Sequence, residues 1–140
     1  MVLRQRLSRS LLACAVLGLM ALPALAADAT IALKDGTSLP VEGIEISTPR
    51  YRSYGGITLR RGSVETTVRW ENMRQFEVVQ ALPDHHVVRI ATLGGSTIEG
   101  DVEGEISQIK LLGKDKEGNE HSVLLSDVKS VAITRPAGRK

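Results

Sequence analysis

Residues 48–56 of this 140-residue chain read TPRYRSYGG and interleave two arginines with two tyrosines. Arginine beside tyrosine is typical of a face that stacks on a ligand and pairs with anionic groups. Two further arginines follow at positions 60 and 61, close along the chain. We therefore take as candidate binding residues Arg50, Tyr51, Arg52, Tyr54, Arg60 and Arg61.

Residues 99–105 read EGDVEGE and carry a carboxylate at every second position. Side chains two residues apart on an extended strand project from the same face, so these residues form an acidic stripe: Glu99, Asp101, Glu103 and Glu105. A calcium site is one interpretation, but such side chains stand roughly 7 Å apart, and calcium is usually enclosed by a loop. We favour pairing with the arginines, within a chain or between chains, while a solvated face stays open.

The remaining polar residues do not predict an enzyme. Adjacent residues on an extended chain point apart, so His85 and His86 would need a third ligand such as His121 to hold a metal. We interpret the histidine pair as solvated linker residues. The chain has no nucleophile elbow, no H-E-x-x-H motif and no phosphate-binding glycine loop. We predict no catalysis, no cofactor and no metal.

The first 26 residues predict a secretory signal peptide. Three arginines precede the apolar run LLACAVLGLMAL, which is too short to span a bilayer, and Ala24-Leu25-Ala26 follows. We expect cleavage after Ala26, a periplasmic location and no membrane span afterwards. Cleavage leaves 15 basic residues against 16 acidic ones and removes Cys14, the single cysteine. The mature chain therefore lacks the positive charge that nucleic-acid binding requires.

Two segments of the mature chain share a pattern of apolar residues. Five apolar positions recur at an offset of 55 residues: Val68, Trp70, Met73, Phe76 and Val78 correspond to Val123, Leu125, Val128, Val131 and Ile133. Four upstream positions recur at an offset of 57: Ile31, Leu33, Val41 and Gly43 correspond to Val88, Ile90, Ile98 and Gly100. This recurrence predicts two tandem units over residues 27–83 and 84–134, followed by a disordered basic tail over residues 135–140.

The short segments between turn-forming residues predict an all-β fold. TIALKD, ITLRR, ETTVRW and FEVVQ are rich in valine, isoleucine and threonine, and Asp-Gly or Gly-Gly pairs separate several of them. We expect about five strands per unit, with one tight turn at WENM and again at LSDV. Trp70, Met73 and Phe76 are expected to fill the first unit. Because a 55-residue unit is marginally stable alone, the two units are expected to share a core or a continuous sheet.

The opening pattern I-x-L-x-D-G-T…V-x-G-x-I, over residues 31–44, resembles the first strands of Sm-like and SH3-like small barrels. The resemblance is carried by Asp35-Gly36 and Gly43. It implies two five-stranded, strongly bent barrels. We expect a non-catalytic binding or scaffolding module of the cell envelope, partnered by an envelope protein or by a second copy. The alternative is a module that binds a glycan or an anionic envelope polymer through the arginine and tyrosine face.

Overall fold

A computed structural model of the chain describes residues 27–50, 52–53 and 55–135. The predictions about the signal peptide, the tail beyond residue 135, Tyr51 and Tyr54 lie outside these residues. The described residues are all-β, as predicted, and in this part of the chain no helix is long and apolar enough to cross a membrane.

The strands of the described residues are β1 (Asp28–Leu33), β2 (Ser38–Ser47), β3 (Arg52–Ser53), β4 (Gly56–Arg61), β5 (Val64–Arg69), β6 (Met73–Leu82), β7 (His85–Thr92), β8 (Thr97–Glu103), β9 (Lys110–Lys114), β10 (Glu120–Leu124) and β11 (Val128–Arg135). Short 3₁₀ turns cover Trp70–Asn72, Ile106–Gln108 and Leu125–Asp127. The first and third of these turns lie where WENM and LSDV predicted a single tight turn.

Ten strands follow one another in a strongly curled antiparallel sheet, in the order β10-β9-β2-β1-β11-β6-β7-β8-β4-β5, and β3 pairs with β2 beside this path. Two groups of strands can be distinguished. The terminal group contains β1, β2, β9, β10 and β11, and the central group contains the contiguous strands β4–β8. The boundary predicted at residues 83 and 84 lies inside the β6–β7 hairpin, where Leu82 pairs with His85.

The two groups meet where β11 pairs with β6. Phe76 lies directly opposite Val131 in this ladder, and its neighbours pair symmetrically on both sides. These two residues are also separated by the sequence offset of 55. The sheet is therefore continuous across the junction of the two groups, which agrees with the expectation of one shared sheet.

The core confirms the expected burial of the largest apolar side chains. Trp70, Met73 and Phe76 are fully buried, and the Trp70 and Phe76 rings are tilted by 32° with centroids 6.5 Å apart. This is a favourable separation for an aromatic pair. Leu125 is also fully buried and, like Trp70, begins a 3₁₀ turn. Both residues donate a backbone N–H to the carbonyl of a connecting segment, Gly55 for Trp70 and Ile109 for Leu125.

Candidate functional site

The described residues of the arginine and tyrosine stretch, 48–50, 52–53 and 55, lie in the connection between the two strand groups. Residues 48–55 lead from β2 to β4, with β3 pairing back onto the end of β2 through Ser53 and Ile46. Residues 104–109 make the return passage from β8 to β9. A Cβ on Gly104, whose φ is +135°, would lie 3.0 Å from Pro49 and 2.7 Å from Ile109. The two connections are therefore in contact with each other, and Gly104 lies at the point of contact.

Four charged side chains form a closed ring beside this crossing. Arg50 lies 3.4 Å from Glu65 and 3.5 Å from Glu103. Arg60 lies 3.0 Å from Glu65 and 2.8 Å from Glu103, where its Nε faces the carboxylate without hydrogen-bond alignment. This charged ring joins the first connection to β4, β5 and β8. It thus links one residue of the stripe to two of the candidate arginines within a single chain.

The charged ring forms much of the wall of a cleft of about 290 Å³. Two hydroxyls of neighbouring strands complete the polar lining, since Thr58 Oγ1 and Thr67 Oγ1 lie 2.8 Å apart. Asp101 adds a third carboxylate and lies opposite Arg60 in the β8–β4 pairing. The cleft therefore offers both hydrogen-bond donors and acceptors on one face of the sheet.

The other stripe residues lie in different surroundings. Glu99 accepts a hydrogen bond of 3.1 Å from Arg89, which also donates to Glu77 at 2.9 Å. These two carboxylates, Glu99 first, raise the pKa of Arg89. Glu105 is exposed and lies beyond the end of β8. The alternation of the stripe thus holds for the three residues within β8 and ends with that strand.

The remaining candidate arginines are placed less closely around the cleft. Arg61 is exposed at the end of β4, and a Cβ on Gly100 would lie 2.9 Å from its Cγ. Arg52 lies in the short strand β3. The structure therefore brings together Arg50 and Arg60 of the candidate binding residues, around Glu65, which is not among the residues predicted from the sequence. Glu65 directly faces Arg60 in the β4–β5 hairpin, which is a cross-strand pair that the Arg-Gly-Ser turn indicates.

The interpretation of the histidine pair as solvated linker residues is wrong, because both residues belong to β7 and the side chain of His85 is only 29% exposed. The turn contains only Pro83 and Asp84, so β7 begins at His85 and carries His86 fully buried. His85 instead points to the turn, where its Nδ1 lies 2.7 Å from Asp84 and lowers the pKa of that carboxyl. Adjacent residues of a strand face opposite sides, which explains the contrast.

His121 lies in β10 and contacts the loop that joins β9 to β10. Its Nε2 lies 2.9 Å from Asp115 Oδ2. This contact, followed by the backbone N–H of Asn119, lowers the pKa of Asp115 to about 2. Within the described ranges, no three histidine, cysteine, aspartate or glutamate side chains are grouped so that they could hold a metal ion.

We expect the charged ring to contribute little to stability, because its side chains are 35–59% exposed. Exposed ion pairs contribute about 0–1 kcal/mol each and are screened by salt. A double-mutant cycle on Arg50→Ala and Glu103→Ala, measured by urea unfolding, should give a coupling energy below about 1 kcal/mol that disappears at high salt. A coupling above about 2 kcal/mol at both salt concentrations would contradict this expectation.

No protein-family model matches the chain, and a search of curated proteins found no match.

Proposed function

We propose that this chain is an exported, periplasmic, non-catalytic protein of the cell envelope that binds or scaffolds a partner protein at the free edge of β5. Within the described residues β5 pairs with β4 alone, through six consecutive positions without a register shift. An edge strand presents unpaired backbone N–H and C=O groups, to which an extended segment of another chain can add as a further strand. This regular free edge is the observation that carries the proposal.

The composition of β5 favours docking over protection. Edge strands of monomeric proteins are commonly blocked by charged side chains, above all lysine, by proline or by a bulge, and the sequence VETTVR contains no lysine or proline. Its two charged residues are paired, Glu65 with Arg60 and Arg69 with Glu71. Val64 at the start of the strand is 58% exposed, the highest value among the large apolar side chains described. The other free edge, β10, is one residue shorter and carries no comparable exposed apolar side chain.

The charged ring supplies selectivity to this edge. Glu65 and Thr67 belong to β5 and line the cleft, so alternate side chains of an added strand would face the ring. Charge complementarity between the added strand and the charged ring selects the partner and fixes the register of the strand more than it increases affinity. This selectivity requires Arg50 to stay paired with Glu65 of β5 and Glu103 of β8.

The strand groups support a finer proposal about architecture. We infer that each group is one small SH3-like or Sm-like barrel, and that two tandem units exchanged strands to build them. Each group has five strands, and a 3₁₀ turn leads into β6 of the central group as into β11 of the terminal group. The symmetric pairing of Phe76 with Val131 supports an approximate two-fold axis between the groups.

Site-specific photo-crosslinking tests the β5 edge. A photoreactive residue at position 64 should give a discrete crosslinked protein in the envelope of the producing cell, because Val64 lies at the docking edge. The matched control is position 93, since Leu93 is also apolar and 41% exposed but lies in the turn after β7. Crosslinking at position 64 should be lost in a variant that also carries Thr66→Lys on the edge strand.

Each outcome of the crosslinking has a distinct meaning. A product of twice the chain mass identifies a second copy as the partner, and a different mass identifies another envelope protein. Equal crosslinking at positions 64 and 93, or none at position 64, would contradict docking at β5.

The second candidate function is binding of a glycan or an anionic polymer through the candidate arginine and tyrosine face. The polar cleft at Arg50 and Arg60 favours it, because guanidinium, carboxylate and hydroxyl groups all meet there. Both arginines are already paired with glutamates, so a hydroxylated glycan fits this cleft better than a polyanion. Salt distinguishes strand addition from a polyanion alone, because arginine–polyanion contacts weaken steeply with ionic strength, whereas strand addition and a neutral glycan do not depend on salt in this way.

A further inference from the structure

The core face of β7 contains a histidine among apolar residues. His86, Val88 and Ile90 alternate along the strand and are all fully buried. In the sheet His86 lies between Ala81 of β6 and Val102 of β8. Both of its ring nitrogens are buried without a hydrogen-bond partner. An imidazole in such surroundings is costly to bury when neutral and much more costly when protonated.

The charged groups around His86 do not compensate a positive charge on its ring. Burial first, and then electrostatic interactions with His85 and Lys34, lower the pKa of His86. His85 is the preceding residue and faces Asp84 in the turn, while Lys34 follows β1. The carboxylates of β8, Glu99, Asp101 and Glu103, alternate with Val102 and therefore lie on the opposite face of the sheet from His86. Glu77 of β6 pairs with Arg89. An imidazolium at this position would therefore be uncompensated.

The terminal group has an apolar residue at the position that corresponds to His86 of the central group. The residue 57 positions before His86 is Ala29, which is buried and apolar. Among the described residues, every buried side-chain nitrogen or oxygen without a hydrogen-bond partner belongs to Arg60, Trp70 or His86, around the central group. We propose that the central strand group is an acid-sensitive switch, in which protonation of His86 opens β6–β8 while the terminal group stays folded.

The direction of the effect follows from linkage. The unfolded or opened chain binds the proton with the ordinary histidine pKa of about 6.5, whereas the closed state binds it only at lower pH. The contribution of neutral His86 to the stability of the closed state is fully present above about pH 6.5. It is lost as the pH falls from there toward the pKa of His86 in the closed state. Between these two pKa values the ratio of open to closed molecules rises by up to about tenfold for each pH unit.

Hydrogen exchange of the full mature chain tests the switch. After correction for intrinsic exchange rates, the opening equilibrium constant of amides in β7 and β8 should rise by as much as about tenfold for each pH unit below about pH 6.5. The opening equilibrium constant of amides in β1 and β2 should not change in this way. The variant His86→Leu keeps an apolar core side chain without a titrating group and should abolish the pH dependence. The control His121→Gln removes a partly exposed histidine of β10, in the terminal group, and should retain the pH dependence.

Two results would overturn the proposal. One is the same acid response in both strand groups, and the other is a persistent response of β7 and β8 in His86→Leu. If His86→Leu does not fold, an NMR titration of the unaltered chain decides instead. His86 should titrate below the ordinary value of about 6.5, and titration at or above that value would refute the switch.

Discussion

Replacement of Trp70 by alanine is expected to remove about 3–5 kcal/mol of unfolding free energy, a large part of the 5–15 kcal/mol typical of a whole domain. Trp70 is fully buried, contacts the Phe76 ring and begins the 3₁₀ turn that leads into β6. Truncation leaves a cavity beside Phe76 in the strand that joins the two groups. The loss therefore affects the junction as well as the local core.

Urea unfolding followed by circular dichroism measures this loss, because Trp70 is the only tryptophan and its fluorescence disappears in the variant. Leu125→Ala is the matched control, since Leu125 is equally buried and begins the corresponding turn in the terminal group. We expect Leu125→Ala to lose about 2–5 kcal/mol of unfolding free energy, and Val64→Ala on the exposed edge to lose little. A loss below about 1 kcal/mol for Trp70→Ala would mean that the ring does not fill the core as described.

The local features of this fold could be predicted from the sequence. Burial of Trp70, Met73 and Phe76, the two tight turns and the all-β class all depend on patterns of a few residues. The alternation of the acidic stripe within β8 also depends only on neighbouring positions. Each of these predictions is decided by side-chain type and by the two-residue period of a strand.

The pairing of strands could not be predicted in the same way. The two halves carry matching apolar patterns, so a strand such as β2 fits the hydrophobic face of β4 as well as that of β9, with which it pairs. Periodicity alone cannot distinguish partners that present equivalent faces. The choice of β9 depends on how residues 48–55 and 104–109 cross, which is a long-range property.

The burial of His86 was missed for a related reason. Its neighbours Pro83 and Asp84 are turn-formers, and two adjacent histidines after them have the composition of a linker. The structure continues β6 to Leu82 and begins β7 at His85, so only two residues form the turn. The signal that could have identified the buried position is the alternation of His86 with Val88 and Ile90.

Replacement of Gly56 by alanine is expected to be the most damaging glycine substitution, with a loss of about 2–6 kcal/mol when backbone strain and displacement of neighbours are added. Gly56 begins β4 with φ +156°, and a Cβ there would overlap the Val68 carbonyl oxygen and lie 2.8 Å from Arg69 Cα. These are backbone atoms of the paired strand and cannot rotate away. The end of β5 must move, and with it the bond from Trp70 N–H to Gly55 O.

Gly62→Ala separates steric overlap from backbone strain. Gly62 also has a positive φ, +68°, but a Cβ there would meet no atom within 4 Å. Its loss should therefore be only about 1–2 kcal/mol, the cost of a left-handed conformation for a residue with a side chain. Urea unfolding of both variants measures the difference. Equal losses of unfolding free energy in the two variants would show that β5 can shift at Arg69 at no energetic cost. The edge to which we assign partner binding would then be too flexible to hold a fixed register.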